Sequence, residues 1–433
     1  MAKKIFVLLF YISAFFAPWG EGMQHVFSSA SSIFPLCVFG IIALSFLLKL
    51  QLQKYNIPKA FKFFLVFMFL HTLVYAILNP DILTFGTTES SVSGGNFTIG
   101  KTSSGDAILK FFTFGLYSCI LFKSMCNGLV KIPQYLLAFC CGFCCTILIG
   151  GYQNEYANDL IRISGGLSDP NAMAVDSLVA LSFAVFLLKN IKMRFLKNIK
   201  MRFLKNIKMR FLYFFIFLLV AIPAYALIMS FSRGGMLALI VMAIVFLKRK
   251  YKLIKIISCC VFGLLILYIL YQFIIPNDFR EILIMRFNFE EAKETGGANR
   301  VGIWTAYLER WMYYFITGTG FGNCPSVLQQ HSLGVNVSLN YVTHNQYLLY
   351  FVEQGLLGVI LYLNYIIRGI KEIEKTSKEM LFLALPFIGY GIATFFVNLS
   401  GGRTVWIIFA FMNFVYVYNK KKSDEKNISL RSC

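Results

Sequence analysis

Thr343-His344-Asn345-Gln346-Tyr347-Leu348 leads within a few residues into Glu353-Gln354-Gly355-Leu356-Leu357-Gly358, and there a long polar stretch gives way to an apolar helix. A junction of this kind puts a titratable side chain at the mouth of a transmembrane segment. His344 is one of only four histidines, and a neutral imidazole at such a boundary can accept, donate or relay a proton near neutral pH. The same stretch therefore indicates both the kind of fold and the first place to look for chemistry.

Outward from this junction the chain is apolar throughout. Hydrophobic residues make up 58% of it and charged residues only 14%, with a mean hydropathy of +0.67, far from a soluble globular composition. Runs of roughly 15 to 24 apolar residues, long enough to cross a hydrocarbon core, occur near 5–19, 33–50, 61–79, 107–125, 132–150, 172–188, 211–230, 234–247, 253–276, 344–367, 379–399 and 402–418. The expected fold is an all-α polytopic membrane protein of about 12 transmembrane helices, one integral membrane domain over 1–433. The longest polar segment, 277–343, is too short to bury a core of its own. The first apolar run follows Lys3-Lys4 as a secretory leader would, but Ala17-Pro18-Trp19-Gly20 lacks a small-x-small cleavage pattern, so it reads as a span.

A net charge of +21 suggests nucleic acid only until it is mapped. With the N-terminus inside, most Lys and Arg fall on one side, in Lys49/Lys54/Lys59/Lys62, the 189–210 run, Lys248 to Lys255, Arg368/Lys371/Lys375/Lys378 and Lys420-Lys421-Lys422. This is the positive-inside bias: the basic charge sets topology and meets anionic headgroups, with both termini cytoplasmic and no nucleic-acid partner. The eleven cysteines lie mostly within apolar runs, where Cys140-Cys141-Gly142-Phe143-Cys144-Cys145 reads as small packing residues rather than a metal site.

On the opposite side basic residues are scarce, so Arg162, Arg233, Arg300 and His344 stand out. Guanidinium groups stay charged and bind phosphate oxygens bidentately, and several converging on one site suit a diphosphate. Arg300 also opens a segment, Asn299 to Tyr314, in which Arg300, Trp304, Tyr307, Leu308 and Trp311 recur at helical spacing. That spacing predicts an amphipathic helix lying on the membrane interface and folding the 277–343 loop back over the bundle. Asp169-Pro170-Asn171 predicts an N-cap with proline at the first helical position. Singly, each residue has a plainer account: Arg233 snorkels from a tight turn, Arg162 organises its loop, Arg300 is a solvated interfacial charge, and His344 caps a helix. Continuing the helix back through His344 at about 100° per residue puts Leu348, Phe351, Gly355 and Gly358 on its face and Glu353 opposite. The glycines then read as close helix contacts, and Glu353 as a hydrogen-bonded partner inside the membrane.

Arg162 with Gly165-Gly166 and Asp169-Pro170-Asn171, Ser232-Arg233-Gly234-Gly235, Asn299-Arg300 with Trp304, Gly318-Thr319-Gly320-Phe321-Gly322, and Thr343-His344-Asn345 to Gly358 together resemble the O-antigen ligase-like and Wzy-type polymerase superfamily. The resemblance implies a GT-C-like, metal-independent membrane glycosyltransferase without a cofactor, acting on the extracytoplasmic face on undecaprenyl-diphosphate-linked oligosaccharides. It further implies that Arg162, Arg233 and Arg300 hold the donor diphosphate. His344 would act as general base or phosphate ligand, with Asn345, Trp304 and Tyr341 in support. The motifs leave three activities open: polymerase, with a chain-length regulator as a further partner; ligase, transferring the glycan to lipid A-core; and transporter of lipid-linked sugars. The polymerase is preferred because no feature indicates recognition of an anionic lipid A-core.

The octad Lys-Asn-Ile-Lys-Met-Arg-Phe-Leu is repeated perfectly at 189–196, 197–204 and 205–212, carrying nine positive charges on the cytoplasmic side. Each octad advances about 80° beyond two helical turns, so the copies share no common face. They read as a tandem duplication in a tolerant loop, the alternative being a basic segment adsorbed to the inner leaflet. Deleting two octads is expected to leave membrane insertion and activity near wild type. Loss of activity in a variant expressed at the normal level would refute the tolerant-loop reading.

Overall fold

Buried apolar faces and three polar caps account for the architecture of this computed structural model, which describes residues 2–20, 23, 29–48, 55–79, 104–149, 163–165, 167, 169–195, 202–252, 280, 300–399 and 401–431. Helices α1 (Ala2–Phe16), α2 (Ala30–Leu47), α3 (Lys59–Leu78), α4 (Ser104–Cys126), α5 (Ile132–Ile149), α6 (Pro170–Phe195), α7 (Arg202–Met229) and α8 (Arg233–Lys250) come first. After them come α9 (Arg300–Leu308), α10 (Ser326–Gln330), α11 (Gln346–Lys375), α12 (Leu381–Ala393) and α13 (Arg403–Arg431). A helix occupies each predicted span except 253–276, which is outside the described residues, although α12 fills only the first part of 379–399 and gives way to turns after Ala393. Five are long and apolar enough to cross a membrane, namely Lys59–Leu78, Gly105–Cys126, Ile132–Ile149, Pro170–Asn190 and Gln346–Lys375. No strand occurs among the described residues.

The helices start where the sequence supplies acceptors for their free N–H groups. Asp169 Oδ1 accepts from Asn171 N at 2.8 Å, ahead of Pro170, as its N-cap spacing predicts. Ser232 caps α8 through Gly235 N at 3.2 Å. Asn345 caps α11, accepting from Tyr347 N at 2.9 Å and Leu348 N at 3.1 Å. Packed together, α6 touches α5 and α7, α12 lies on α6 and α8, α13 on α4, α11 on α3, and α1 on α2 and α5. The core is aromatic: Trp406 of α13 meets Phe111 of α4 edge-on at 4.8 Å, and Phe111 meets Phe321 of the connecting loop at 4.8 Å.

Arginines also staple the bundle. Arg403, at the start of α13, donates to the carbonyls of Ser31 (2.5 Å), Phe16 and Trp19, joining the ends of α1 and α2 to it. Arg249 donates to Ile373 O at 2.5 Å and Thr376 O at 2.8 Å, fastening α8 to the far end of α11.

Two local expectations are corrected. The segment predicted as one interfacial helix to Tyr314 ends at Leu308 and continues as a 3-10 turn, Trp311–Tyr313. Arg310 turns back there and donates to Ala306 O (2.8 Å), His331 O (2.7 Å) and Leu333 O (2.6 Å). Ile303, Ala306 and Tyr307 are buried in a small core with Cys324, Leu328, Leu349 and Val352, so α9 packs onto the loop and α11. His344, moreover, is not part of α11: it precedes the Asn345 cap with φ 46°. The helical phase linking it to Gly355 and Gly358 therefore does not apply.

Gly355 interrupts α11 at φ 67°, ψ −169°. The Gly318-Thr319-Gly320-Phe321-Gly322 turn fills the gap with its backbone. Leu356 N donates to Phe315 O (2.8 Å), Thr319 N to Val352 O (2.9 Å) and Gly320 N to Glu353 O (3.0 Å). Gly318, Gly320 and Gly322 all have positive φ, and a Cβ on Gly318 would run into the Glu353 carbonyl. Gly318→Ala should cost the left-handed backbone penalty of about 1–2 kcal/mol plus the displacement of Glu353. Gly334→Ala, also at positive φ but with nothing near its Cβ, should incur the backbone penalty alone. Thermal unfolding in detergent should thus rank Gly318→Ala well below Gly334→Ala, and equal losses would overturn the plug.

Candidate functional site

At the end of the bundle where α8, α9 and α11 begin, the polar residues of three loops meet. His344 stands on a scaffold of backbone contacts. Trp304 Nε1 donates to Thr343 O at 2.8 Å, the Thr343 hydroxyl donates to Asn345 O at 2.9 Å, and Tyr307 OH donates to Tyr341 O at 2.7 Å. Below them Gln346 N donates to Thr394 O (2.8 Å) and Leu399 N donates to Gln346 Oε1 (2.7 Å), locking the start of α11 to the loop after α12. The positive φ of His344 is held by neighbours on both sides, as expected of a residue that must present its ring rather than extend a helix.

A second wall comes from the loops before α6 and α8. Ser232 Oγ donates to Asn171 Oδ1 at 2.9 Å, and Asn171 Nδ2 donates to Asp169 Oδ1 at 3.0 Å. The two helix caps are thus one hydrogen-bonded unit, with Arg233 leaving it from the first turn of α8. Phe231, at φ 48°, makes the tight turn that allows this. Gly235 sits against Ala174 and Gly234 against Phe396, which brings α8 close to α6 and to the loop after α12.

Electrostatics link the two walls. Burial holds the His344 imidazole below its usual range, the positive charge of Arg300 lowers it further, and Asp169 opposes both. His344 therefore stays neutral and able to accept a proton to a lower pH than a free imidazole would, while the charge of Asp169 favours its protonated form once a proton arrives. Arg300 and Arg233 each open a helix, so guanidinium charge is added to free backbone N–H groups, the arrangement that holds oxyanions. Arg300, Arg233 and His344 are all half-buried.

Between α4, α6 and α13 a cavity of about 230 Å³ extends from this unit, with Asp169, Lys110, Asp176, Arg403 and Thr404 in its lining. Asp176 is buried at its base and bonded to Thr404. Neither Lys110, Arg403 nor this cavity was legible in the sequence, because they come from helices far apart in the chain. The twin Gly-Gly motifs, Gly234-Gly235 beside Arg233 and Gly401-Gly402 beside Arg403, were the available signal.

Of the residues expected at the site, His344, Arg300 and Arg233 lie at this one end, and Asn345 and Trp304 build the His344 loop from beneath. Tyr341 is exposed at its rim and anchored through its carbonyl. Arg162 lies outside the described residues, although the next residue, Ile163, donates its N–H to Met229 O at 3.1 Å, beside the Arg233 turn. Glu353, set apart from His344 in the sequence reading, is buried and accepts from the backbone N–H groups of Gly322 and Cys324. Cys324 in turn receives Tyr307 OH on its carbonyl at 3.3 Å, so Glu353 braces the loop that carries His344. The Cys324 thiol is pushed up by burial and by Glu353, which makes it a packing group rather than a nucleophile.

Residues 215–363 match the family model described as O-antigen ligase. The matched segment includes Arg233, Arg300, the glycine plug, His344 and the break at Gly355; Asp169, Asn171 and Arg403 fall outside it. The match over this segment is consistent with the O-antigen ligase-like superfamily and with an O-antigen ligase- or polymerase-type glycosyltransferase in a membrane. No curated protein matches the chain.

Because the folded His344 binds its proton more weakly than an unfolded histidine, it contributes stability above about 6.5 that is lost as pH falls through its lowered value. An NMR titration of the imidazole Cε1–H signals in detergent, with the His344 signal assigned by its loss in His344→Gln, should give a midpoint below that of free histidine. The midpoint should rise in Arg300→Gln and fall in Asp169→Asn. No response to either substitution would separate the two walls.

Proposed function

We propose that this chain polymerises undecaprenyl-diphosphate-linked oligosaccharide repeat units into O-antigen or capsular polysaccharide on the extracytoplasmic face of the bacterial inner membrane, with both termini cytoplasmic. The observation that supports the proposal is a proton-accepting His344 that feels the charges of Arg300 and Asp169, with Arg233 at the start of α8 beside the Asp169–Asn171–Ser232 unit, at the end of the bundle away from the basic loops.

In this reading the acceptor hydroxyl oxygen attacks the anomeric carbon of the donor sugar, and the bond from that carbon to the diphosphate oxygen breaks. The hydroxyl proton passes to the His344 imidazole, and undecaprenyl diphosphate leaves. Arg300 and Arg233, with Arg162 as a third contributor, neutralise the charge that develops on the leaving diphosphate. Asp169 stabilises the imidazolium formed in the step. Phosphate neutralisation by guanidinium groups needs no divalent metal. If His344 instead bonds the diphosphate, the same groups surround it, and the acid limb of the rate profile moves with donor binding rather than with turnover.

The ligase reading is favoured by the description of the matching family, and differs only in the acceptor, lipid A-core in place of a second lipid-linked repeat. A strain lacking the protein distinguishes them: single-repeat capped core marks a missing polymerase, whereas bare core with accumulating lipid-linked polymer marks a missing ligase. Transport of the same lipid would call for ionisable groups reached from both faces, whereas the cluster here is at one end.

Purified protein in detergent with lipid-linked repeat units should lengthen the glycan, a product that transport alone does not form. His344→Gln and Arg300→Gln should each reduce that rate by about 100-fold or more with unchanged thermal unfolding. Full activity of His344→Ala and Arg233→Ala would sink the site assignment.

A further inference from the structure

A second cavity lies at the opposite end from His344. About 530 Å³ in volume, it is enclosed by the start of α3, the second half of α11 and the second half of α13. Its rim carries Lys59, Arg368, Lys420 and Lys421 against Asp424 and Glu425. One acid is already occupied, since Lys421 Nζ lies 3.9 Å from Glu425 Oε1. The walls are aromatic, from Tyr55, Tyr365 and Tyr416. In the lining, Asn413 is only 1% exposed, and its amide Nδ2 has no hydrogen-bond partner among the described residues. Its Oδ1 is taken by Tyr365 OH at 3.4 Å. Pro58, Lys59 and Ala60 bring the N-terminus of a 20-residue helix to the same opening, where unpaired N–H groups and the helix dipole favour an anion.

The occupant these features fit is amphipathic. Basic groups and a buried amide donor await an anionic head, while the outer faces of the same helices continue from the rim as exposed Phe63, Ile367 and Ile370, a surface for acyl chains. Tyrosines at such a boundary sit at headgroup depth. We propose that this cavity is a binding site for the phosphate headgroup of an anionic glycerophospholipid of the cytoplasmic leaflet, held by Arg368, Lys59 and Lys420 over Asn413. The proposal rests on the membrane orientation read from the basic loops, not on the transfer reaction at the other end.

The test is binding of dioleoylphosphatidylglycerol to delipidated protein in neutral detergent, read by native mass spectrometry and thermal shift, with dioleoylphosphatidylcholine and inorganic phosphate as parallel probes. Phosphatidylglycerol should bind and raise the unfolding temperature, and the other two should not. The double variant Arg368→Gln, Lys420→Gln should weaken its binding by about thirtyfold. Lys248→Gln, Lys252→Gln, at the same end but outside the cavity, should retain it. All four side chains are exposed, so both variants should unfold like wild type without lipid. Asn413→Leu, which keeps the volume and removes the donor, should also weaken binding. Equal loss in the two double variants would reduce the effect to general surface charge, and equal binding of phosphatidylcholine would remove the headgroup. A full shift with inorganic phosphate would remove the lipid. Each of these outcomes overturns the proposal. Because the assay uses no glycan substrate, its failure leaves the reading of the His344 end untouched.

Discussion

A helix broken inside a membrane must have its freed backbone groups satisfied by protein, since lipid offers no partners. In this chain that requirement falls at Gly355, about 14 Å along α11 from its start, and the answer is the glycine-rich turn at 318–322. Three glycines with positive φ let the turn come within hydrogen-bonding range of Val352, Glu353 and Leu356. His71 and Tyr75 of α3 close over it, with His71 Nε2 2.6 Å from Thr317 O and Tyr75 against Gly320. A loop that would otherwise lie on the surface is thereby pinned into the bundle.

The rest of that end follows from the pin. Tyr314 OH donates to Tyr307 O at 2.8 Å, Tyr307 OH reaches Tyr341 O, and Trp304 reaches Thr343 O. The loop is therefore carried as one body from the plug to the ring of His344. Glu353 holds the same body through Gly322 and Cys324. Buried carboxylates are costly unless fully bonded, and placing one here ties the break in α11 to the loop that positions the histidine. The other wall is built from the shared caps of α6 and α8; the loop after α12 touches both walls, and the charges of Asp169, Arg300 and His344 couple them.

The described outer-end arginines divide by what they touch. Arg310 and Arg403 bond to backbone carbonyls and act as staples. Arg233 makes no hydrogen bond or ion pair among the described residues and projects from a capped helix start, where an anion is the natural complement. Residue type and location are the same for these arginines; only the carbonyls within reach separate a fastener from a ligand group. The larger cavity at the basic end extends the same logic to the other leaflet, where charge that sets orientation also frames a pocket.

Much of this was legible in the sequence. The apolar runs located the helices because the length of a span is set by the hydrocarbon thickness. Asp169-Pro170 marked a helix start because a cap is a local, one-turn interaction, whereas the caps at Ser232 and Asn345 emerged only with the fold. The grouping of Arg233, Arg300 and His344 followed from their order and the positive-inside bias. Three things were decided only by tertiary structure: the break at Gly355, the role of Glu353 as a brace, and the joining of Asp169 to Ser232 through Asn171. A helical wheel assumes an unbroken helix, and at Gly355 the helix breaks because a turn from another part of the chain supplies its hydrogen bonds. Local propensity and hydropathy determine which segments span the membrane, whereas the partners that satisfy buried polar groups come from distant segments and exist only once the chain has folded.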